Sequence, residues 1–160
     1  MNEVTIYRNP LGDSRTATKI PTFTEFQRAN NLHRKDVYAM MSEIGNEFYI
    51  AGSKHDLTKF SEPEASLFYR ELCNTIEGNM DFEQGEWYRM HVTTERHHLD
   101  KYVPDNVNLI DVLEMVCDCI CAGMARSGEV RPFEVSDALL RKAFDNTVKM
   151  CIDSVVLSDD

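Results

Sequence analysis

Four helix-start signals, each followed by an apolar stripe at helical period, most constrain how this chain can fold. The signals begin at Thr22, Ser61, Asp81 and Asn108. Glutamate follows Thr22 and Ser61 at the third residue, which is the spacing of a capping box, and aspartate and asparagine are favoured N-cap residues. Apolar residues then recur at steps of three and four, as on one face of a helix. The sequence therefore predicts an all-α bundle of five to six helices.

The first residues of the chain follow a different pattern. Residues 4–7 alternate in polarity as in a strand, residues 9–13 are rich in turn formers, and residues 16–20 could return beside the first run. We therefore expect residues 1–21 to form a short β-hairpin or an ordered arm, with a flexible tail as the alternative. The helical domain is expected to span residues 22–157.

Length and charge restrict the classes of function. A chain of 160 residues can bury a sizeable single core. No apolar run reaches the length of a membrane span, and the N-terminus lacks the basic and apolar regions of a signal peptide. A net charge of −10 argues against a nucleic-acid polymer as partner, because binding one requires clustered cations. We expect neither a membrane nor a nucleic-acid partner and leave the formation of a homo-oligomer open.

The five cysteines do not form a metal-binding pattern. Cys117 and Cys121 share a face of one predicted helix and Cys119 points elsewhere, so their spacing is not that of a zinc knuckle. We interpret the cysteines as reduced thiols used as small core residues, which indicates a reducing cytoplasm.

All histidines fall between residues 33 and 98. They are His33, His55, His91, His97 and His98. Together with Asp56 and Asp118 they form a typical ligand set for one or two transition-metal ions. Asp56 is the ligand that can bridge two ions, because a carboxylate has two oxygens. Asp118 precedes an almost uncharged stretch of helix, where an unpaired carboxylate would be costly.

Helical periodicity places the histidines on different faces of their predicted helices. His33 lies on the apolar stripe of the first predicted helix and is therefore expected to face inward. His91 and His98 share a helix face, whereas His97 is rotated from it by about 100°. Periodicity thus favours His98 as the ligand, and His97 reaches the site only if the helix distorts or ends there.

Three further residues are candidates for acting on a substrate. Lys59 lies three residues beyond Asp56, so its ammonium group can lean over the same site; the alternative is a solvated surface charge. Glu114 shares a helix face with Asp118, where it would support a ligand, act as a base or face solvent. Arg126 and Lys59 are candidate contacts for a phosphate group.

The order of these residues resembles the H…HD…D signature of the HD-domain metal-dependent phosphohydrolase superfamily. The matching positions are His33, His55, Asp56 and Asp118, and Lys59 completes the HDxxK form of the motif. His91, His97 and His98 fall where two-metal members carry extra histidines. Four blocks, HDLTKF, WYRMH, ERHH and EMVCDCICAG, are similar to a family of small uncharacterised bacterial and phage proteins placed near the HD fold. The likeness covers about residues 30–127.

The resemblance implies an HD-like helical bundle that holds one or two divalent ions of Mn, Fe, Zn, Co or Ni. It implies a phosphohydrolase acting on a small phosphate ester, with a nucleotide or nucleotide signal as the favoured substrate. In such an enzyme the ions lower the pKa of a bound water and stabilise charge on the phosphoryl group. Asp56, Lys59 and Glu114 are then candidate catalytic residues, and Lys59 and Arg126 candidate substrate contacts.

Three other functions compete with this expectation. Some HD-fold proteins with the same five-histidine pattern hold a di-iron centre and are oxygenases, which metal content and an iron absorption band would reveal. A non-catalytic module would sequester a nucleotide and retain it without turnover. A purely structural helical protein would leave the pattern of histidines unexplained.

Overall fold

The computed structural model describes residues 1–11 and 15–158, and it confirms the predicted helical class. Within these ranges, five α-helices and two short strands follow one another. Their bounds are β1 Val4–Tyr7, α1 Phe23–Lys54, α2 Glu64–Ile76, α3 Glu86–Thr94, α4 Leu109–Ser127, α5 Asp137–Asp153 and β2 Val155–Ser158. Single 3₁₀ turns at Leu57–Lys59 and Phe82–Gln84 precede α2 and α3. The predicted turn at residues 9–13 lies partly outside the described residues. No helix in the described ranges has the length and apolar character needed to cross a membrane.

Two of the predicted helix caps are present. At α1, Thr22 N donates to Glu25 Oε2 over 2.7 Å, and Glu25 N donates to Thr22 Oγ1 over 3.2 Å. At α4, Ile110 N donates to Asn108 Oδ1 over 2.8 Å, and Asn108 N donates to Asp111 Oδ2 over 2.8 Å. These bonds satisfy amide groups that the start of a helix otherwise leaves unpaired.

The other two predicted helix starts are displaced. Helix α2 has no side-chain cap, because it begins at Glu64 and the residue before it is Pro63 rather than Ser61. Asp81 does accept a bond from Glu83 N over 3.1 Å, but it caps a single 3₁₀ turn. Helix α3 follows as a separate and shorter element.

The inward face of α1 is rotated from the predicted stripe. His33, which the stripe placed inside, is exposed, and Ala29 is the buried residue of the helix. The partly buried positions include Glu43 and Glu47. The terminal ammonium group of Met1 lies 2.7 Å from Glu47 Oε1. Because Glu43 and Glu47 interrupt the apolar positions of this face, apolar periodicity marks it only weakly, and the sequence pattern misplaces it.

The strand expected near the N-terminus is present, but it does not form a hairpin. β1 pairs in parallel with β2, in a register that joins Val4 to Val155 and Tyr7 to Ser158. The last helix therefore stops at Asp153, short of the predicted end of the helical domain at residue 157. The following residues are β-branched or large and apolar, a composition that suits a strand.

The chain divides into two compact units; the predicted boundary before residue 22, between an N-terminal arm and the helical domain, stays a prediction. The first unit comprises Met1–Tyr49 and Val148–Asp160, and the second comprises Ile50–Thr147. A cluster of buried apolar residues forms the core of the second unit. These residues are Leu99, Val107, Val112, Met115, Cys119 and Ala143. Every candidate site residue except His33 belongs to the second unit.

The cysteines of α4 fill the core less than expected. Only Cys119 is buried, whereas Cys117 and Cys121 are exposed. All five cysteines of the chain are free thiols.

Candidate metal centre

Seven polar side chains of the second unit converge on one place. They are His55, Asp56, His91, His97, His98, Glu114 and Asp118. The first two directly follow α1, the third lies on α3, the two adjacent histidines follow α3, and the last two lie on α4. All seven belong to the predicted site.

Asp56 lies between two groups of histidine nitrogens. Its Oδ2 is 3.5 Å from His55 Nε2, which is also 3.5 Å from Asp118 Oδ1. Its Oδ1 is 3.3 Å from His91 Nε2 and 3.6 Å from His97 Nε2. The two oxygens of one carboxylate therefore face different nitrogens, as expected of a residue able to bridge two ions.

These separations fit the spacing of ligand atoms around a metal ion. With ion–ligand bonds of about 2.1 Å, neighbouring ligands stand ~3.0 Å apart in an octahedron and ~3.4 Å apart in a tetrahedron. The Nε2 atoms of His91 and His98 are 2.9 Å apart. There are two groups of three residues whose ligand atoms all lie within 4.8 Å of one another: His55, His97 and Asp118 form one, and Asp56, His97 and His98 the other. Because His97 belongs to both groups, they offer overlapping places for an ion rather than two separate complete sites.

Three buried polar atoms at this place make no hydrogen bond to any described residue. They are Asp56 Oδ1 and both ring nitrogens of His97. The His97 side chain is only 1% exposed. Leaving a buried polar group unpaired costs about 1–3 kcal/mol, and native proteins rarely do so. A divalent transition ion binds both imidazole nitrogen and carboxylate oxygen, so the donors present fit such an ion.

The protein environment also sets the charge of these side chains. Burial lowers the pKa of His91 and of His98 to about 4, so both rings are neutral at pH 7, the form that binds a metal. His55 differs, because Asp118 and then Glu114 raise its pKa to about 10. The contact with His55 in turn lowers the pKa of Asp118 to about 2. The ionised carboxylates of the cluster therefore stabilise a positive charge placed beside them.

Asp56 is held in an uncommon backbone conformation. Its φ of 56° and ψ of 26° lie in the left-handed region, which aspartate tolerates better than most residues other than glycine. Lys59 closes this turn, since its amide donates to Asp56 O over 2.8 Å and its ammonium group pairs with Asp56 Oδ2. Burial opposes ionisation of Asp56, but Lys59 outweighs it and lowers the pKa of the carboxyl. Lys59 thus leans over the site instead of being a solvated surface charge.

A short chain of hydrogen bonds orients His91. Thr58 Oγ1 donates to Glu95 Oε1 over 2.7 Å and lies 2.7 Å from His91 Nδ1. A hydroxyl has one proton to donate, so His91 Nδ1 is the donor in the second bond. With its proton held at Nδ1, the ring presents Nε2 to the cluster. The sequence interpretation missed Thr58 and Glu95, although both lie in the blocks HDLTKF and ERHH.

Arg96, in the loop after α3, forms an ion pair with the first turn of α4. Its Nε and Nη2 donate to the two oxygens of Asp111 over 2.7 and 2.6 Å, and its Nη1 donates to Asn106 Oδ1 over 3.1 Å. A bidentate pair of this kind fixes orientation as well as distance. Because His97 and His98 directly follow Arg96, the pair also fixes where they enter the site.

The end of α3 decides how the two adjacent histidines are used. Periodicity favours His98 for a helix that continues to that residue, but α3 ends at Thr94. Both histidines enter the site, and His97 belongs to both donor groups while His98 belongs to one. The donor groups therefore include both histidines, and the preference for His98 stays a prediction.

Glu114 contacts the far side of two imidazole rings. Its Oε1 is hydrogen-bonded to His55 Nδ1 over 3.0 Å and lies 3.2 Å from His97 Nδ1. Burial opposes ionisation, but these two contacts lower the pKa of Glu114 to about 2. A carboxylate placed in this way orients the rings, which favours the supporting role among those expected of Glu114.

Glu71 and Trp87 hold α3 and its histidine in place. The buried carboxylate of Glu71 accepts from Glu86 N over 3.0 Å and from Trp87 N over 3.1 Å, at the start of the helix. Gly85 leaves room for it, since a Cβ there would lie 2.1 Å from Glu71 Oε2. The Trp87 ring stacks on His91 at a centroid distance of 4.4 Å.

Two predicted site residues do not belong to the cluster of seven. His33 belongs to the first unit, where it lines a cavity with Tyr7 and Asp36; its role as a metal ligand stays a prediction. Arg126 is exposed in the last turn of α4 and does not line the cavity beside the cluster. It is eight residues beyond Asp118, which is about 12 Å along a helix.

The cavity beside the cluster has a volume of about 320 Å³. Its lining includes His97, His98 and Asp118 of the cluster and the segment 131–134. This segment brings Arg131 to the site, a residue that the sequence interpretation missed. Arg131 lies in a loop, where no periodicity indicates the direction of a side chain.

A family model matches most of the chain. It spans residues 22–155, and its description is a family of unknown function (DUF5662). No curated protein and no solved structure matches the chain.

Proposed function

Since the chain belongs to this family of unknown function, we propose its activity from the site itself: a metal-dependent phosphohydrolase acting on a small phosphate ester. We expect a nucleotide or nucleotide signal as the substrate. One observation carries the proposal. Asp56 Oδ1 and both ring nitrogens of His97 are buried and make no hydrogen bond to the described residues, inside a histidine and carboxylate cluster beside a cavity. The H…HD…D order, which resembles HD-domain phosphohydrolases, supports the same activity.

Six side chains of the second unit would hold the ion or ions. They are His55, Asp56, His91, His97, His98 and Asp118. Imidazole nitrogens with carboxylate oxygens suit Mn, Fe, Zn, Co or Ni. When bound, a divalent ion lowers the pKa of a water molecule and stabilises negative charge on a phosphoryl oxygen.

The neighbouring residues would serve the hydrolysis of a P–O ester bond. In this reaction the oxygen of water bonds to phosphorus, the bond from phosphorus to the ester oxygen breaks, and that oxygen leaves with a proton. The ammonium group of Lys59, beside Asp56 Oδ2, would offset negative charge that develops on the phosphoryl group. Glu114 would keep the Nδ1 proton of His55 away from the reacting atoms, so that Nε2 is presented to the site.

The partners that we expect are small molecules rather than polymers. A net charge of −10 disfavours a polyanion, while a single phosphate ester needs only the local positive charge of the ion site. All five cysteines are free, which supports a reducing cytoplasm as the place of action.

A di-iron oxygenase is the second candidate function. The observation that favours it is the number of imidazoles, since four histidines and two carboxylates suit iron as well as manganese. Iron in the purified protein, an iron absorption band and oxygen consumption would support this candidate over hydrolysis.

The proposal is tested by screening metal-loaded protein against a panel of nucleotides and simple phosphate esters for released phosphate. We expect release from at least one ester, and none from the Asp56→Asn variant, which serves as the control for contaminating phosphatases. Fully metal-loaded protein that releases no phosphate from any ester in the panel would contradict the proposal. Tight retention of a nucleotide without turnover would identify a sequestering module instead.

Lys59 provides a sharper test, because it should affect turnover without holding metal. A protonated amine cannot be a metal ligand, so Lys59→Ala is expected to keep the metal stoichiometry of the parent. Loss of one charge-stabilising contact commonly lowers the rate by about ten- to a thousandfold. Lys54→Ala, at the end of α1, is the matched control and should have little effect. Equal catalytic efficiency in Lys59→Ala and the parent would remove Lys59 from the site.

A further inference from the structure

The segment after α4 crosses back over that helix beside the metal centre. Arg131 N donates to Cys119 O over 3.1 Å, one residue beyond Asp118. The crossing depends on Gly123, because a Cβ at this position would lie 2.3 Å from Arg131 N and 2.4 Å from Glu129 O. Neither atom can move aside like the end of a flexible side chain, since both belong to the backbone. Gly123 therefore fixes where the backbone of Arg131 lies.

The guanidinium group of Arg131 is available to a ligand. Its Nη1 lies 3.9 Å from Asp118 Oδ2, which is too far for a hydrogen bond. The side chain is 47% exposed, and it makes no hydrogen bond to the described residues. Lys59, another cation at the site, is already paired with Asp56. Arg131 is thus the cation whose donors are open to an incoming anion.

The cavity combines this cation with an apolar wall. Arg131 and Phe133 line it together with His97 and His98, and Met115 contributes a second apolar side chain. Phe133 is 40% exposed although it belongs to the cavity lining. A planar guanidinium suits a phosphate because it can donate two parallel hydrogen bonds. A volume of about 320 Å³ is at the small end of the range for ligand pockets, so the cavity takes one small molecule.

Charge indicates that an anion enters only when the metal is present. The cavity lining carries three carboxylates, from Asp100, Asp118 and Glu134, against the single guanidinium of Arg131. Without a bound cation this wall repels a phosphate, since like charges close together disfavour binding. A divalent ion held by the cluster would reverse that balance.

We propose that Arg131, positioned by Gly123, recognises the phosphate group of a small ester, and that Phe133 packs against a flat apolar or aromatic part of the same molecule. The inference rests on the proposed function, because it assigns the phosphate-contacting role within that site. In this proposal the side chain that contacts the phosphate is Arg131 rather than Arg126, the residue suggested by the sequence. A nucleotide has both features, a phosphate and an aromatic base.

The test measures binding rather than turnover, with methylphosphonate as a probe that phosphoester hydrolysis cannot consume. Calorimetric titration of the metal-loaded full chain is expected to show binding that Arg131→Ala weakens by about ten- to a hundredfold. Arg126→Ala is the matched control and should bind like the parent, and metal content should be equal in all three proteins. Removal of the metal should abolish binding in the parent.

The inference is overturned if Arg131→Ala binds methylphosphonate as tightly as the parent, or if the loaded parent does not bind it. Gly123→Ala should also weaken binding, and an unchanged affinity in a folded Gly123→Ala variant would end its positioning role. If Gly123→Ala does not fold, the affinity of Arg131→Ala for methylphosphonate still tests whether Arg131 contacts the anion. Binding that depends on Arg131, in a protein that releases phosphate from no ester, would defeat the hydrolase proposal and leave this inference standing.

Phenylphosphonate tests the apolar wall, because it adds one aromatic ring to the same anionic group. We expect it to bind about two- to tenfold more tightly than methylphosphonate, from stacking on an aromatic side chain. Phe133→Ala should remove this difference and leave methylphosphonate affinity unchanged. A difference that persists in Phe133→Ala would show that the aromatic part is bound elsewhere.

Discussion

At the scale of single residues, Asp56 combines the central carboxylate with a left-handed backbone. We predict that Asp56→Asn loses bound metal but stays folded, because asparagine also tolerates this conformation. Asp56→Ala should lose metal as well. It should also have a free energy of unfolding about 1 kcal/mol lower than that of Asp56→Asn, because alanine lacks the short polar side chain that makes the left-handed conformation less unfavourable. Metal analysis and urea unfolding of the metal-free variants measure the two effects. Full metal content in Asp56→Asn would place the centre elsewhere.

Thr58 is predicted to act on metal affinity without touching the metal. Thr58→Val removes the hydroxyl between Glu95 and His91, so the His91 ring loses the bond that fixes its proton at Nδ1. Loss of such a supporting bond typically weakens metal binding by about ten- to a hundredfold. Thr58→Ser keeps the hydroxyl and should restore the affinity, as measured by competition with a chelator. Parent-like affinity in Thr58→Val would show that His91 is not oriented in this way.

The residue types of the site were readable from the sequence, as were Glu114 and Lys59 beside them, but the remaining supporting contacts were not. Histidine and aspartate are ligands by chemistry, so His55, Asp56 and Asp118 stand out in any context. Thr58 and Arg131 have no such chemistry, and their roles arise only from what lies next to them. His97 enters the site because α3 ends at Thr94, a boundary that periodicity does not mark.

At the scale of elements, the start of α3 depends on one buried carboxylate. Glu71→Ala leaves the amides of Glu86 and Trp87 without an acceptor, which should lower the free energy of unfolding by about 1–3 kcal/mol. Glu83→Ala removes an exposed carboxylate from the preceding turn and is the matched control, with little expected change. Urea unfolding of the metal-free proteins measures both. Equal stability of Glu71→Ala and the parent would contradict the role of Glu71 as a cap.

Sequence patterns between residues a few positions apart predicted the helix starts at Thr22 and Asn108. The wrong predictions concern contacts between residues that are far apart in the sequence. The caps at Thr22 and Asn108 were predictable because the partners are three residues apart. The partner of β1 was not, because Val155–Ser158 lies at the other end of the chain. The inward face of α1 was misread because Glu47 on that face pairs with the terminal ammonium group.

At the scale of the whole molecule, six of the seven predicted metal ligands lie in the second unit, Ile50–Thr147. They come from the turn directly after α1, from α3 and the loop after it, and from α4, so the site forms only when these elements pack together. The family match spans residues 22–155 and thus the whole of this unit. A centre assembled in this way should make the protein more stable when the metal is bound.

The central claim is that this cluster of histidines and carboxylates is a metal centre. Its most direct test is the metal content per chain of the purified protein, measured by mass spectrometry before and after loading with Mn, Fe, Zn, Co or Ni. We predict at least one tightly held divalent ion per chain, which is absent from His97→Ala because both donor groups include His97. A folded parent protein that retains none of these ions after loading would contradict the account.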